Sequence, residues 1–404
     1  MSPVRNQPDC QRSCCTSRTT GLAVITILSL VMITGTAAPV SAQQPGRAAR
    51  TGTAGGCSVP ASTQGWSVTR KAAQLVVAPV EEYDMDAATL SVGQGVGGLI
   101  LFGGAAPDDL GGEVHSLDLE SLGGLPPLVM TDEEGGEIQR MANLVGPIPW
   151  PQAMAADMSQ PQVQQLATQV ARAMRANGVN MDLAPVLDLA TGPGPDAEHV
   201  DGPRSFSPVE TVAAAYGLAF ARGMLDGGVI PVVKHFPGEG QASYNTDDGP
   251  ANTPPIAELE RNDLLPFEAA IKAGMPAIMV GNASIPGLTR RPASLSYAVV
   301  TGLLRDRLQF HGLILTDSLS VPGVSEDGYS LGQAAPLAVE AGADMVLFDA
   351  TDVTDVTAQL IQAIADAVHA GQLSPARLNQ AVGDVLAVKR SQFCPSQKPA
   401  GTET

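Results

Sequence analysis

The stretch VIPVVKH, Val229 to His235, is a continuous apolar run that ends in two ionisable side chains. Consecutive rather than alternating apolar residues are typical of a parallel strand that is buried on both faces. Seven other runs of this kind occur along the chain, at 74–80, 97–102, 128–132, 179–186, 277–282, 313–317 and 345–348. Eight such runs with helical patterns between most of them predict a single-domain α/β fold, a (β/α)8 TIM-type barrel. A doubly wound open sheet is the main alternative on this pattern alone.

The ends of these runs favour the barrel over the open sheet. Polar side chains finish five separate runs, namely Asp132, Lys234 with His235, Asn282, Asp317 and Asp349. A barrel gathers the carboxyl ends of all its strands around one mouth, whereas in an open sheet only the ends near the switch point converge. We therefore expect a functional site at the mouth of the barrel.

Two helix starts are marked by Ser-Pro pairs. In SPVE we expect Ser207 to cap a helix whose first turn contains Pro208 and Glu210. In SPAR we expect Ser374 to open the last helix, from 375 to 392.

The composition describes a globular protein and excludes some partners. The chain is 44% hydrophobic and 16% charged, so it can bury a large core, and its formal net charge is −18. Nucleic-acid binding needs a positive surface, so we expect no nucleic acid as a partner. The five histidines are scattered and no cluster has metal-ligand spacing, so we expect no cofactor and no metal.

The amino terminus differs from the rest of the chain. Three arginines precede the apolar run Gly21 to Gly35, and Val40-Ser41-Ala42 fits a small-x-small cleavage site. We predict a signal peptide over 1–42, export to the cell exterior, and a flexible linker over 43–60. The apolar run is short for a membrane span, which makes an uncleaved anchor the weaker alternative. Lipid attachment at Cys57 is a third reading, disfavoured because Cys57 lies far beyond the apolar run.

The predicted mature chain keeps two cysteines, Cys57 and Cys394. Export places them in an oxidising setting, and the ends of a closed fold often lie close together. We predict a Cys57–Cys394 disulfide, with two inert thiols as the alternative. The barrel domain is then expected over 61–394 and a flexible tail over 395–404, and we expect a monomer.

Two strand ends carry side chains suited to a polar ligand. Asp132 precedes two acids and the pair Gly135-Gly136, and its carboxylate can accept hydroxyl hydrogen bonds. The alternative is that these acids form a cluster exposed to water, and this alternative is stronger for Glu133 and Glu134 than for Asp132. Lys234 ends a buried strand, where a charge must be paired or functional; its neighbour His235 could instead be a satisfied core histidine.

Two further candidates stay open on the residues alone. Asp317 follows the apolar residues 312–315 with only Thr316 between them, so it is either a helix N-cap or a group that points into the pocket. Arg140 is either paired with an acid, in contact with a ligand, or a surface arginine.

Together these stretches resemble glycoside hydrolase family 3, in its single-domain β-N-acetylhexosaminidase branch. The motifs that carry the resemblance occur in the family's order between about 66 and 390, as TDEEGGEIQR (131–140), NMDLAPVLDL (180–189), PRSFS (203–207), VVKHFPGEG (232–240), LLPFEAAI (264–271), PASLS (292–296), GLILTDSLS (312–320) and AGADMVL (341–347). Any one motif is weak, but the ordered series is specific. The resemblance covers only the family's barrel domain.

The resemblance implies a retaining glycosidase in which Asp317 is the nucleophile that forms a covalent glycosyl-enzyme. It also implies substrate-binding residues that hold the sugar before the scissile bond, namely Asp132, Arg140, Arg204, Lys234 and His235. A nearby lysine or arginine would keep Asp317 ionised.

The sequence departs from the family at the acid/base. The branch has FPGHG, four residues, and then Asp-Ser-His, whose histidine transfers the proton. Here Asn245 stands in place of that aspartate and Asp247 in place of that histidine. Asp247 is our first candidate for the acid, because partial desolvation would raise the pKa of its carboxyl group. Glu239 and Asp248 are the alternatives, and a loop without a proton donor is the negative reading.

We therefore expect an exported exo-glycosidase that removes terminal β-linked N-acetylglucosamine from cell-wall or chitin-type glycans. Because the usual dyad is missing, a β-glucosidase-like specificity is one alternative. A glycan-binding protein without catalysis is another, although a binder would not need the carboxylate of Asp317.

Overall fold

The computed structural model describes residues 59–190 and 192–394, which belong to one compact unit. Its eight main strands form a closed parallel barrel in the order β1-β10-β9-β8-β7-β6-β3-β2. Their bounds are β1 Val76–Val80, β2 Gly98–Leu101, β3 Leu128–Thr131, β6 Met181–Asp182, β7 Ile230–Phe236, β8 Ala277–Val280, β9 Leu313–Ser318 and β10 Met345–Leu347. The predicted barrel is confirmed, and each strand lies within or close to one predicted apolar run. The open-sheet alternative is excluded because β1 pairs with both β2 and β10.

A short antiparallel hairpin leaves the barrel directly after β3. Its strands are β4 Glu133–Gly135 and β5 Ile138–Gln139. The α-helices are α1 Val68–Ala73, α2 Met85–Gly93, α3 Leu110–Glu120, α4 Ala142–Val145, α5 Pro151–Asp157, α6 Gln160–Ala176, α7 Glu210–Gly227, α8 Ile256–Leu259, α9 Leu264–Lys272, α10 Pro322–Ser325, α11 Leu331–Ala341, α12 Val353–His369 and α13 Pro375–Phe393. A π-helix spans Ala298–Arg307. In the described part of the chain, no helix is long and apolar enough to span a membrane.

The strands have apolar side chains on both faces because each face packs against a different layer. In β1, Val77 lies in the cluster that fills the barrel, with Met130 and Met345 from other strands. Its neighbours Val76 and Ala78 belong to the layer between the barrel and the helices. Successive side chains of a strand point to opposite faces, so a buried parallel strand needs apolar residues at consecutive positions.

One predicted helix start is confirmed and the other is shifted. Ser374 caps α13, and its side chain accepts a hydrogen bond from the backbone N–H of Arg377. The cap predicted at Ser207 is wrong, because α7 begins at Glu210 and Val209 precedes it in an extended conformation. The Ser207 hydroxyl instead accepts from the backbone N–H of Val209, which stabilises the turn before the helix.

Both ends of the described chain lie at the floor of the barrel, opposite the mouth. The Arg390 guanidinium on α13 donates to the carbonyl of Pro60 at 2.9 Å, and Lys389 Nζ donates to Gln74 Oε1 at 2.9 Å just before β1. Val59 is only 4% exposed and packs in the core, so the barrel domain includes a residue before the predicted boundary at 60.

The remaining predictions for the termini fall on residues that are not described. These are the signal peptide (1–42), most of the linker (43–60), the tail (395–404) and Cys57, one half of the predicted disulfide. The hydrogen bond to Pro60, three residues after Cys57, brings that part of the chain to the helix that ends just before Cys394. The Cys57–Cys394 pairing stays a prediction with this support.

Intact-mass spectrometry of the exported protein, kept non-reduced, tests both predictions at the termini. We expect a chain that begins at Gln43 and whose mass is lower by two hydrogens than the dithiol form. Reduction should restore those hydrogens and lower the thermal midpoint, because a disulfide typically stabilises a fold by ~2–4 kcal/mol. A full dithiol mass before reduction would contradict the disulfide, and an intact amino terminus would contradict cleavage.

Candidate active site

The carboxyl ends of the barrel strands surround a cavity of about 710 Å³. All seven side chains for which the sequence predicts a role in catalysis or sugar binding line this cavity, namely Asp132, Arg140, Arg204, Lys234, His235, Asp247 and Asp317. They come from strand ends and loops that are far apart in the sequence and that the closed barrel brings together.

The hairpin after β3 aims two acids inward. Glu133 is fully buried, and its Oε1 accepts hydrogen bonds from the backbone N–H groups of Arg140 and Met141 at 2.7 and 2.6 Å. Glu134 is only 2% exposed. The expectation that these two acids lie in water is therefore wrong. The turn is tight because Gly136, at φ +62°, lies against the ring of Trp150, where a Cβ atom would have no room.

Lys234 is the centre of a buried ion network. Its Nζ lies 2.8 Å from Asp132 Oδ1 and 2.7 Å from Glu134 Oε1. Arg204 binds the same Glu134 with two parallel hydrogen bonds, from Nε at 2.8 Å and Nη2 at 2.9 Å. Burial alone would raise the pKa of Glu134, but the charges of Arg204 and Lys234 outweigh it and hold that pKa well below its usual range. Glu134, Arg204 and Lys234 are therefore charged at neutral pH.

This network leaves donors available to a ligand. An ammonium has three N–H donors, and Lys234 uses two of them on Asp132 and Glu134. Asp132 also lines the cavity, and its second carboxylate oxygen can accept a hydrogen bond. An adjacent fixed donor and acceptor suit vicinal hydroxyl groups, because one hydroxyl can accept from the ammonium while its neighbour donates to the carboxylate.

Arg140 sits at the side of the cavity. Its guanidinium carbon lies 5.7 Å from the centre of the Phe102 ring, and its carbonyl accepts a hydrogen bond from the hydroxyl of Tyr83 at 2.5 Å. Burial raises the pKa of Tyr83 further above its usual value, so this hydroxyl stays protonated. The Arg140 side chain lines the cavity, whereas its Nε atom is buried and makes no hydrogen bond among the described residues.

Asp317 ends the inner part of β9 at the base of the cavity. Its Oδ1 accepts the backbone N–H of Ser318 at 2.7 Å, and the Ser318 carbonyl accepts from Asn282 Nδ2 at 2.8 Å. Asn282 thus supports the backbone next to Asp317 and does not line the cavity. Burial raises the pKa of Asp317 and outweighs the opposing effects of His235 and Lys234. The expected lowering by a neighbouring cation is not dominant, because Lys234 is already paired with two acids.

The loop after β7 presents Asp247 at the rim. Asn245 Oδ1 accepts the backbone N–H of Asp247 at 3.0 Å, which is an Asx turn, and the Asn245 carbonyl accepts the N–H of Asp248. The loop is also tied at Thr246, whose carbonyl accepts from Gly323. Desolvation raises the pKa of Asp247, with a smaller upward effect from Asp248 and an opposing effect from Arg204.

Glu239 lies deeper than Asp247. It is 2% exposed, and its Oε1 accepts the backbone N–H of Ala283 at 2.7 Å. Gly281 makes room for it, because a Cβ at that position would lie 2.2 Å from the Glu239 carboxyl oxygen. Burial raises the pKa of Glu239 well above its usual value, with further upward effects from Asp317 and Asp188.

His235 is backed by two buried acids that the sequence analysis did not assign. Its Nδ1 lies 2.6 Å from Asp188 Oδ2, and Asp201 completes a group whose potential ligand atoms all lie within 4.8 Å of one another. Three such side chains are a possible cation site by geometry. The positive charge of Arg204 lies only 3.2 Å from Asp201 Oδ1, which disfavours a second cation there.

Three groups at this site were missed because their partners lie far away in the sequence. Glu134, Asp188 and Asp201 look like ordinary loop acids until Arg204 and His235 are placed beside them. The one available signal was that Asp188 follows two apolar residues in the motif NMDLAPVLDL.

Comparison with known proteins agrees with this geometry. The family model described as the glycosyl hydrolase family 3 N terminal domain matches residues 67–388. The chain belongs to glycosyl hydrolase family 3. Its relatives include the beta-hexosaminidase LpqI of Mycobacterium tuberculosis, which is 33% identical over 337 residues that cover 79% of this chain and 82% of LpqI.

Two solved structures of family members extend the comparison. A family 3 glycosyl hydrolase from Mycobacterium smegmatis has a TM-score of 0.73 at 33% identity, and the match covers 80% of this chain and 97% of that one. A family 3 beta-N-acetylglucosaminidase from Paenibacillus sp. has a TM-score of 0.74 at 31% identity, over 84% of this chain and 65% of that one. The protein is a glycoside hydrolase of the family 3 beta-hexosaminidase type.

The ion network predicts that substitution of two glutamates in one hairpin changes the free energy of unfolding by very different amounts. Glu134→Gln removes the charge that balances Lys234 and Arg204, so we expect the free energy of unfolding to fall by ~3 kcal/mol. Glu137→Gln is the matched control, since Glu137 is exposed in the same hairpin and should change stability by less than ~0.5 kcal/mol. Urea denaturation measures both. Equal midpoints for the two variants would contradict the network's role.

Proposed function

We propose that the protein is a secreted retaining exo-glycosidase that removes terminal β-linked N-acetylglucosamine from cell-wall or chitin-type glycans. The observation that carries this proposal is the pair of acids in the mouth cavity. Asp317 lies at its base and Asp247 at its rim, and the sugar-binding candidates line the wall between them. The description of the Paenibacillus relative as a beta-N-acetylglucosaminidase supports the choice of sugar.

Asp132, Arg204, Lys234, His235 and Arg140 are proposed to hold the sugar before the scissile bond. Lys234 and Asp132 offer a fixed donor beside a fixed acceptor, with Nζ and Oδ1 only 2.8 Å apart. Arg204 is immobilised by Glu134, and Arg140 lines the side of the cavity. A sugar bound by rigid, charged groups is oriented at little entropic cost, which favours attack at one carbon.

In the proposed first step, a carboxylate oxygen of Asp317 attacks the anomeric carbon and the bond to the glycosidic oxygen breaks. That oxygen takes the proton of Asp247, and the aglycone leaves. In the second step a water molecule gives its proton back to Asp247 and attacks the same carbon, which releases the sugar and restores the carboxylate of Asp317. Two inversions give net retention of configuration.

Asp247 is the best placed of the three candidate acids. Its raised pKa favours the protonated form that the first step needs, and its charge interacts with that of Asp317. Glu239 is held by the N–H of Ala283 in the interior, away from the rim where an aglycone enters. Asp248 is also exposed at the rim, so the adjacent pair Asp247 and Asp248 needs an experimental comparison.

A substrate comparison tests the proposed activity. We expect turnover of nitrophenyl β-N-acetylglucosaminide to exceed that of nitrophenyl β-glucoside. Asp317→Asn should lower kcat by ~10³-fold or more while calorimetry still detects N-acetylglucosamine binding, because only the nucleophile is lost. Preference for the glucoside would favour the β-glucosidase alternative. Binding without turnover by the unmodified protein would favour the glycan-binding alternative.

Leaving-group dependence tests the acid. Asp247→Ala should slow hydrolysis of chitobiose by ~10²–10⁴-fold, because its leaving group is a sugar hydroxyl that needs a proton. The same change should slow an activated dinitrophenyl glycoside far less, because that leaving group needs little protonation. Asp248→Ala is the matched control on the same loop and should slow both substrates by similar, small factors. The reverse pattern would assign the proton to Asp248, and equal slowing of both substrates by both variants would point away from this loop.

A further inference from the structure

Arg140 differs from Lys234 and Arg204 in how its position in the cavity is set. Lys234 and Arg204 are each held by a buried ion pair to Glu134. Among the described residues, no carboxylate forms an ion pair with Arg140, and its guanidinium carbon lies 5.7 Å from the centre of the Phe102 ring. The direction in which the Arg140 side chain enters the cavity therefore depends on where its backbone is held.

Two buried side chains bind the backbone polar groups of Arg140, which directly follows β5. The Arg140 N–H donates to Glu133 Oε1 at 2.7 Å, and the Arg140 carbonyl accepts from the Tyr83 hydroxyl at 2.5 Å. Glu133 belongs to the same hairpin as β5. Tyr83 comes from the turn after β1, so its hydroxyl ties the end of the hairpin to the barrel.

The turn that carries Tyr83 has an unusual backbone conformation. Glu82 and Tyr83 have φ values of +45° and +58°, and in the described part of the chain Gln309 is the only other non-glycine residue with a positive φ. Residues with a Cβ atom rarely adopt this left-handed conformation, and bulky residues adopt it least. Such strain persists only where surrounding contacts require it, so the contacts of Tyr83 indicate what the turn does.

The contacts of Tyr83 fix both its backbone and its ring. Its N–H donates to the carbonyl of Phe102, directly after β2, at 3.3 Å, and its side chain is buried. The ring lies against Gly103, where a Cβ atom would be 2.7 Å from the ring atom Cε2. A glycine is therefore needed beside the ring, and in this position the Tyr83 hydroxyl reaches the carbonyl of Arg140.

We propose that Tyr83 is a positioning residue for sugar recognition, whose hydroxyl fixes the backbone of Arg140 and thereby sets the place of the Arg140 guanidinium in the cavity. The arginine side chain is long, so a small rotation of its peptide moves the guanidinium much further, and small misplacements of a binding group are costly. This inference rests on the proposed function, because it takes Arg140 to bind the sugar.

Tyr83→Phe tests the proposal by removing only the hydroxyl. The ring keeps its place beside Gly103, but the carbonyl of Arg140 loses its donor. We expect KM for nitrophenyl β-N-acetylglucosaminide to rise by ~3–10-fold while kcat changes less than about twofold, because a contact that holds the sugar acts on bound substrate and transition state alike. Calorimetry should show a similar loss of affinity for N-acetylglucosamine.

Tyr216→Phe is the matched control. The Tyr216 hydroxyl also donates to a backbone carbonyl, that of Met158 at 2.8 Å, but Tyr216 lies on α7 and does not line the cavity. Both variants should lower the thermal midpoint by ~1–4 °C, whereas only Tyr83→Phe should raise KM. A rise of KM in both variants, or in neither, would overturn the proposal.

A double-mutant cycle tests whether Tyr83 acts through Arg140. In an Arg140→Ala background, Tyr83→Phe should change neither KM nor sugar affinity further, because the side chain that it positions is gone. Its effect on the thermal midpoint should remain, since the carbonyl of residue 140 is present in both backgrounds. An undiminished rise of KM in the Arg140→Ala background would contradict the proposed role.

The outcomes separate this inference from the proposed function. If the unmodified protein prefers nitrophenyl β-glucoside, or binds sugar without turnover, the proposed activity fails, and the same cycle is read with the glucoside or by calorimetry. If Arg140→Ala leaves KM and sugar affinity unchanged, the role of Tyr83 is wrong while the glycosidase activity stands. A protein that neither binds nor hydrolyses these sugars would overturn both.

Discussion

The mouth of this barrel is organised by one ammonium group held between two carboxylates. Lys234 at the end of β7 binds Asp132 after β3 and Glu134 in the hairpin, and through Glu134 it fixes Arg204. The network joins three parts of the sequence, around positions 132–134, 204 and 234. Because each charge is buried, removing any one leaves the others uncompensated, so the geometry of the sugar-binding wall depends on all of them together.

The loop that carries Asp247 differs in sequence from the corresponding loop of the family pattern. Asn245, which stands where the family has an aspartate, has become a structural residue whose side chain and carbonyl close the turn that carries Asp247. The proposed proton donor and the support of its loop are thus separate residues.

Apolar runs and the polar residues that end them are local patterns, so they predicted the barrel and four side chains at its mouth, Asp132, Lys234, His235 and Asp317. The roles of Arg140, Arg204 and Asp247 came from the family resemblance. The sequence could not predict that Glu134 is buried, since that depends on Arg204, seventy positions away. It also left Asp188 and Asp201 without a role, because their burial behind His235 is a consequence of strand closure. The opposite error occurs at Asn282. The sequence places it among the polar strand ends expected at the site, but its side chain binds a backbone carbonyl and does not line the cavity.

The placement of both described chain ends at the floor has a practical consequence for presentation of the enzyme. Arg390 binds Pro60 and Lys389 binds Gln74, so these two side chains join the first described residues to the last helix, on the side away from the cavity. A tether, affinity handle or solid support joined beyond either end would therefore be attached to the face opposite the cavity. Large polymeric glycans could then approach an immobilised molecule without steric obstruction from its attachment point.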